Sequence, residues 1–313
     1  MQTQILRIGT RGSPLALAQA HEVRDRLRQA HGLPAEAIAI HVIKTSGDRI
    51  EDRPLSEAGG KGLFTKEIEE ALLAGSIDLA VHSMKDMPTR LPDGLAISCI
   101  LPREDVRDAF LSLKAGRLGD LPAGAVLGTS SLRRQAQVLH ARPDLRIVPF
   151  RGNVETRLRK LAEGIADATL LACAGLNRLG LADRIQQSIE PGELLPAVAQ
   201  GAIGIEIRSG DERVAALLSP LNDQRSHLEI VTERAFLARL EGSCRTPIAG
   251  LARLEHGRLQ FRGQILLPDG SKSFATERSG QPQDAIRMGE DAAAELLGRA
   301  GPEFFSHIAG PHG

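Results

Sequence analysis

The chain has 313 residues, which is enough for two or three domains. Its 39 Lys and Arg residues balance its 39 Asp and Glu residues, and it contains no Trp and no Tyr. The balanced charge and the missing base-stacking side chains argue against a nucleic-acid-binding protein.

The sequence also argues against a secreted or membrane-spanning protein. No apolar stretch approaches the length of a membrane span, and the N-terminus lacks the apolar core of a secretory signal. The three cysteines lie far apart, which is unlike a disulfide framework or a Cys-x-x-Cys metal site. We therefore expect a cytoplasmic protein without a bound metal.

Short apolar strands alternate with amphipathic helices in the first part of the chain. Residues 5–9 are predicted as a strand, after which Ser13 is placed to cap a helix that has Pro14 in its first turn. One apolar face predicts a second helix over residues 63–74. Further strands are predicted at residues 39–44, 78–81 and 95–101.

The same alternation restarts after a connector at residues 101–105. Strands are predicted at 125–128, 145–149 and 168–172, and helices begin at Leu132 and Val154. A second connector at 195–201 precedes a strand at 202–207, which could return to the first sheet. After about residue 222 the pattern changes to a long helix, three strands and a final helix, which predicts an α+β domain.

This order predicts an α/β protein with two lobes of mainly parallel sheet, a cleft between them and a C-terminal α+β domain. The first lobe is expected to comprise residues 1–101 with 202–219, and the second lobe residues 102–201. The C-terminal domain is expected to comprise residues 220–313.

Two turns, each between a predicted strand and a predicted helix, share the same sequence pattern. Residues 8–14 and residues 127–134 both combine Gly-Thr with hydroxyl groups and arginine. Such turns attract anions, because backbone N–H groups are free there and the helix dipole is positive. The planar arginine fork matches carboxylate or phosphate. The two turns predict a cleft that holds a multiply anionic ligand from both sides.

Asp86 lies in a third junction of this kind, within residues 81–88, directly after an apolar strand. Flanking cations keep such a carboxylate ionised, so that it can stabilise a developing positive charge or manage a proton. Taken by itself, an Asp-Lys surface turn is the commoner explanation. We expect His82 to pack beside the strand and not to be catalytic.

Three further turns and one cysteine complete the candidate set. Residues 150–157 and 174–178 place arginines at strand ends, and residues 59–62 form a Gly-rich segment that is either a ligand loop or a flexible surface loop. Cys244 lies between glycine and proline and beside Arg245, which favours the thiolate. With no adjacent His, covalent attachment of a group is the sharper hypothesis for Cys244, whereas Cys99 and Cys173 fit buried positions.

Six segments, in this order, resemble the hydroxymethylbilane synthase family, also called porphobilinogen deaminase. They are residues 10–16, 59–64, 81–86, 128–134, 151–153 and 241–244. The resemblance implies the two-lobed periplasmic-binding-protein fold and a monomer. It implies condensation of four porphobilinogen molecules, with release of ammonia, to the linear tetrapyrrole hydroxymethylbilane. It also implies a dipyrromethane cofactor held by a thioether to a cysteine, at the position of Cys244.

The resemblance also implies a role for each matching residue. Asp86 would be catalytic, and Lys61 would belong to a loop that covers the cleft. The residues expected to bind the cofactor, besides Cys244, are Ser83, Lys85, Thr129, Ser130, Ser131, Arg133, Arg134, Arg151 and Gly152. The residues expected to bind the substrate, besides Lys61, are Arg11, Ser13, Gln19, Arg157, Arg178 and Gln200.

Two other functions fit parts of the pattern. A non-catalytic solute-binding protein of the same fold predicts an export signal and needs no cysteine. A phosphate-handling transferase predicts a Walker-type motif or an acidic metal cluster, and the sequence shows neither.

Overall fold

The computed structural model describes residues 6–49, 63–240, 247–301 and residue 304. The chain divides into two compact units, Met1–Glu104 with Gly201–His227 and Asp105–Gln200 with Leu228–Gly313. Lys61 and Cys244 lie outside the described residues.

The strands and helices alternate through most of the chain. The strands are β1 (Leu6–Thr10), β2 (Ile38–Val42), β3 (Leu79–Ser83), β4 (Leu95–Ile100), β5 (Asp108–Ser112), β6 (Val126–Gly128), β7 (Arg146–Val148), β8 (Ala168–Ala172), β9 (Gln187–Ile189), β10 (Ile203–Arg208), β11 (Ile248–Glu255), β12 (Arg258–Leu266) and β13 (Ser273–Gly280). The helices are α1 (Pro14–His31), α2 (Ser46–Arg49), α3 (Lys66–Leu73), α4 (Leu132–Ala141), α5 (Val154–Ala162), α6 (Cys173–Arg178), α7 (Glu212–Leu218), α8 (Gln224–Arg239) and α9 (Ala285–Ala300).

The first unit is built on a sheet with the strand order β2-β1-β3-β10-β4. β1 is parallel to β2 and β3, whereas β10 is antiparallel to β3 and β4. One face buries Ile8, Val81 and Ile205 in an apolar cluster that includes side chains of α1. Ile68 and Leu72 of α3 belong to a second cluster. The sheet therefore has apolar side chains on both faces, as parallel-rich sheets require.

The second unit repeats this design in the order β7-β6-β8-β5-β9. β6 is parallel to β7 and β8, and β5 is antiparallel to β8 and β9. In both sheets the reversed strand is fourth in order. It is β10 in the first sheet and β5 in the second, so each reversed strand directly follows a crossing of the chain from one sheet to the other.

The second unit also contains the antiparallel sheet β11-β12-β13 with α9 and most of α8. Phe236 of α8 and Phe261 of β12 are buried, and their ring centroids lie 5.0 Å apart. Helix α9 approaches α8 so closely that a Cβ on Gly289 would lie 2.3 Å from the carbonyl oxygen of Thr232. Glycine is therefore needed at this helix crossing.

The predicted fold class is confirmed: the lobes are α/β with mainly parallel strands, and the C-terminal part is α+β. The predicted strand at 168–172 matches β8, and most other predicted elements differ by a few residues. Strands β5 and β9 and helix α7 were not predicted, because their apolar runs are short and begin or end at polar residues. In the described residues, no helix combines the length and apolar character needed to cross a membrane.

The turn between β12 and β13 packs directly on helix α4. Gly270 has φ +74°, and a Cβ there would lie 2.5 Å from the backbone nitrogen of His140. His140 Nδ1 donates to the Gly270 carbonyl oxygen at 2.8 Å, and Gln135 Nε2 donates to that of Pro268 at 3.1 Å. The turn thus fixes the C-terminal sheet to the helix that carries Arg133 and Arg134.

We expect Gly270→Ala to destabilise the protein by about 2 to 4 kcal/mol, because it adds a backbone clash to the cost of a positive φ. Gly257→Ala is the matched control, since Gly257 has φ +75° but no atom within 4 Å of the added Cβ. It should cost only about 1 to 2 kcal/mol. Urea unfolding measures both, and equal losses would show that the contact with α4 adds nothing.

Candidate functional site

The start of helix α1 carries the first Gly-Thr turn. The Ser13 hydroxyl accepts a hydrogen bond from Ala16 N at 3.3 Å and caps the helix, and Pro14 follows in the first turn. The guanidinium carbon of Arg11 lies 4.1 Å from the centre of the Phe64 ring, a cation–π contact. This contact ties the turn to the residues just before α3.

The end of β3 carries the Asp86 turn on the same edge of the first sheet. Gln19 Nε2 donates to Ser83 Oγ at 2.9 Å, and Met84 N donates to the Ala202 carbonyl oxygen at 3.0 Å. Met84 is buried, while Lys85 and Asp86 are exposed. Because β1 and β3 are parallel neighbours, their carboxyl ends meet at one edge. The structure therefore gathers six predicted site residues there: Arg11, Ser13, Gln19, Ser83, Lys85 and Asp86.

In the second unit, the hydroxyl groups of the second Gly-Thr turn hold the turn itself. Thr129 Oγ1 accepts from Ser131 N at 3.1 Å, and Ser130 Oγ accepts from Phe150 N at 3.0 Å. Ser131 caps α4 by accepting from the Arg134 backbone nitrogen. Gly128 is required because an added Cβ would lie 2.5 Å from the Phe150 ring.

Arg133 and Arg134 are buried and share the carboxylate of Asp108, a residue of β5. Arg133 Nη2 lies 2.8 Å from Asp108 Oδ2, and Arg134 Nη2 lies 2.6 Å from Asp108 Oδ1. Arg134 also donates to the Leu170 carbonyl oxygen, and Arg133 to that of Leu195, each at 2.8 Å. Nε of Arg133 is buried and has no hydrogen-bond partner in the described part of the chain.

Two opposing effects act on the pKa of Asp108. Burial by itself raises it, but the charges of Arg133 and Arg134 and their hydrogen bonds outweigh burial and lower the pKa to about 2. Burial lowers the pKa of Arg133 and the Asp108 charge opposes this, so Arg133 stays a cation at neutral pH.

Gln200, which was predicted to bind the substrate, is buried beside the triad that Asp108, Arg133 and Arg134 form. Its amide Nε2 donates to the Val106 carbonyl oxygen at 2.8 Å and to Asp108 Oδ1 at 3.2 Å. The structure thus pairs Gln200, Arg133 and Arg134 with protein groups, and their contacts with a ligand stay predictions.

The turn before α5 places Arg151 and Gly152. Gly152 has φ +116°, and its carbonyl oxygen accepts from Arg157 Nε at 2.8 Å. Lys160 Nζ donates to the Arg151 carbonyl oxygen at 3.1 Å. Nη1 of Arg151 is buried without a hydrogen-bond partner among the described residues. Arg178 is half-buried in the last turn of α6.

The two cysteines that the structure describes, Cys99 and Cys173, are buried. Burial raises the pKa of Cys99 to about 12 and that of Cys173 to about 11. Both therefore remain protonated thiols at neutral pH and are poor nucleophiles.

The sequence pattern missed two residues that organise this site. Asp108 went unnoticed because its strand was not predicted, although a carboxylate at the start of an apolar run requires a cationic partner. Glu206 was hidden in an apolar strand, where its carboxylate Oε2 lies 3.0 Å from His82 Nε2.

Comparison with known protein families identifies the family to which the chain belongs. Residues 6–216 match the family model described as porphobilinogen deaminase, dipyrromethane cofactor binding domain. Residues 227–298 match porphobilinogen deaminase, C-terminal domain. The chain belongs to the porphobilinogen deaminase family.

Two relatives of high sequence identity agree with this assignment. Porphobilinogen deaminase of Paracoccus denitrificans is 62% identical over 300 residues, covering 96% of each chain. That of Nitrobacter winogradskyi is 60% identical over 310 residues, covering 99% of this chain and 98% of the relative. A solved periplasmic substrate-binding protein of an ABC transporter from Coxiella burnetii has a TM-score of 0.42 and 16% identity, over 69% of this chain and 92% of that chain. As a porphobilinogen deaminase family member, this chain is a transferase.

We expect Asp108→Asn to destabilise the protein by about 3 to 5 kcal/mol, because it leaves two buried guanidinium groups without their counter-ion. Asp144→Asn is the control. Asp144 binds Arg142 at 2.7 Å, but its side chain is 37% exposed, and its loss should cost less than about 1 kcal/mol. Thermal unfolding measures both.

The acid dependence of stability tests the same triad. Since the folded-state pKa of Asp108 is depressed, its contribution is complete above about pH 4 and is lost as the pH falls through about 2. Asp108→Asn should lack this acid-sensitive part. A loss of stability with the same size and pH dependence in the wild type and in this variant would contradict the assignment.

Proposed function

We propose that this chain condenses four porphobilinogen molecules head to tail, with release of ammonia at each step, to give the linear tetrapyrrole hydroxymethylbilane for porphyrin and haem biosynthesis. The family match over nearly the whole chain is the observation that carries this proposal. It favours the transferase over a non-catalytic solute-binding protein. That the enzyme is monomeric and cytoplasmic remains part of the proposal.

The second unit fits an anionic pyrrole cofactor. Two arginines keep a buried donor without a partner in the described residues, namely Nε of Arg133 and Nη1 of Arg151. Buried donors of this kind require an acceptor, and a carboxylate supplies one. The pyrrole acetates and propionates of a dipyrromethane group would provide such carboxylates.

We assign the attachment of this group to Cys244, through a thioether. When bound, the group supplies the pyrrole to which the first substrate is joined. Arg133 and Arg151 would bind its carboxylates. Nε and both Nη groups of Arg134 bind Asp108 and Leu170, so that Arg134 holds α4 and Arg133 in place. Its contact with the cofactor stays part of the proposal.

Asp86 is assigned the catalytic role. Its carboxylate is exposed beside Lys85 on a turn that buried Met84 and the strand pairing of β3 hold in place. There it would accept a hydrogen bond from a pyrrole N–H and stabilise the positive charge that develops as the substrate's aminomethyl group loses ammonia and keeps its methylene carbon. Arg11 and Lys85, on the same edge, would bind carboxylates, Arg11 those of the substrate and Lys85 those of the cofactor.

The covalent attachment is tested by mass. The intact wild-type protein should exceed its sequence mass by one dipyrromethane unit and give a coloured product with Ehrlich's reagent. Cys244→Ala should show neither, because no thiol remains to form the thioether. Cys99→Ala is the control and should keep both. Active wild-type protein at the unmodified mass would refute the attachment.

The role of Asp86 is tested by turnover. Asp86→Ala should lower kcat by about a hundredfold or more, as removal of a group that stabilises transition-state charge does, while thermal stability is kept. Asp93→Ala removes another exposed carboxylate of the same unit and should leave kcat near the wild-type value. Near-normal turnover in Asp86→Ala would rule out the catalytic assignment.

A further inference from the structure

A cluster of three ionisable side chains is buried in the first unit, beside the strand that leads into the Asp86 turn. They are Glu69 of α3, His82 of β3 and Glu206 of β10, and these residues are 7%, 6% and 0% exposed. Helix α3 otherwise buries apolar residues such as Ile68 and Leu72. Ionisable groups in such an interface must be paired or neutral.

The imidazole of His82 contacts one of the two carboxylates in this cluster, that of Glu206. His82 Nε2 lies 3.0 Å from Glu206 Oε2, a contact made possible by the pairing of β3 with β10 that sets Gly204 opposite His82. The other oxygen of Glu206, Oε1, and Oε1 of Glu69 are both buried without a hydrogen-bond partner in the described residues. If both carboxylates were ionised, a negative charge would remain uncompensated.

The other charged groups around α3 have partners of their own. Glu67 accepts from Ser46 N at 2.8 Å, and exposed Lys66 and Glu70 lie 4.0 Å apart. On the adjoining strands, Arg7 of β1 binds Asp78, and Arg208 of β10 binds Asp211 and the carbonyl oxygens of Leu72 and Ile77. The titratable group of β4 is Cys99, which lies in the cluster on the α1 side. Within the described part of the chain, none of these groups pairs with Glu69.

We propose that the carboxyl group of Glu69 keeps its proton at neutral pH. Glu69, His82 and Glu206 then act as one buried cluster that fixes α3 and the end of β3 beneath the Asp86 turn. With Glu69 neutral, the cluster no longer sets two buried negative charges against one imidazole. Its three members can then join a helix and two strands at a smaller desolvation cost.

The electrostatics of Glu69 agree with this arrangement. Burial raises the pKa of Glu69 and the charges of Glu206 and Glu70 add to the rise, while the Thr65 hydroxyl and His82 oppose it. A carboxyl whose pKa is raised on folding binds more protons when folded than when unfolded. Its contribution therefore favours the folded state at low pH and is lost as the pH rises through the folded-state pKa.

The link to the site runs along β3. His82 precedes Ser83, which binds Gln19, and Ile203 of β10 is opposite Ser83. Ionisation of Glu69 would loosen α3 and the strands beneath it, and so displace Asp86 without touching the substrate. In this respect the inference rests on the proposed function, and it makes the three residues positioning residues.

The full-length protein and two single variants test the proton. E69Q replaces Glu69 by a neutral isostere, and E70Q makes the same change at an exposed site on the same helix. The infrared spectrum at neutral pH should show a protonated-carboxyl band in the wild type and E70Q that is absent from E69Q. A wild-type spectrum without this band, or an E69Q spectrum that keeps it, would overturn the proposal.

Denaturant unfolding gives a second measure that does not need turnover. From about pH 5 to about pH 9, the unfolding midpoints of the wild type and E70Q should fall more steeply than that of E69Q. The reason is that the first two proteins contain Glu69, which holds a proton in the folded state that it releases on unfolding. Parallel pH dependences in all three proteins would overturn the proposal.

The pH dependence of kcat tests the link to Asp86. The alkaline fall of kcat should move to higher pH in E69Q. In E70Q it should move only slightly and in the opposite direction, because the exposed charge of Glu70 adds to the rise in the pKa of Glu69. An identical fall in the wild type and E69Q would refute the positioning role. The infrared and unfolding results do not depend on the reaction, so they separate a failure of this inference from a failure of the proposed function.

Discussion

The carboxylate of Asp108 neutralises two guanidinium groups in the interior of the second unit, and much of that unit depends on it. Through Arg133 and Arg134 it connects β5 with helix α4, the carbonyl group of Leu170 on β8 and that of Leu195. An isolated charge could not be buried there, because its desolvation would exceed any gain from packing. The shared ion pair therefore sets where the start of α4, and with it the second Gly-Thr turn, lies.

The two Gly-Thr turns share a local form but differ in how their arginines are held. Arg11 is half-buried and stacks on the ring of Phe64, so its guanidinium remains close to the surface. Arg133 and Arg134 are buried against Asp108. The same turn thus presents an adaptable cation in one unit and a rigid, pre-oriented group in the other. Rigid donors lower the entropy cost of binding a carboxylate.

Local patterns in the sequence predicted the elements whose signals are local. Ser13 and Ser131 cap the helices that follow them, and the apolar run at 168–172 forms β8. The pairing of Asp108 with Arg133 and Arg134 escaped prediction because it joins residues about 25 positions apart through a strand that itself went unrecognised. Glu206 escaped because the alternation of an apolar strand does not reveal a buried carboxylate. The candidate site was predicted as a set of turns, but the charges behind those turns were not.

The position of β10 has a consequence for the newly made chain. β10 lies between β3 and β4, yet its residues follow the whole of the second sheet in the sequence. During synthesis, about a hundred further residues are made after β4 before β10, the strand that pairs with both β3 and β4, is available. Until then the edges of β3 and β4 expose unpaired backbone N–H and C=O groups that can pair with strands of other chains. Protection of a nascent chain by chaperones would therefore matter most while the second sheet is being made.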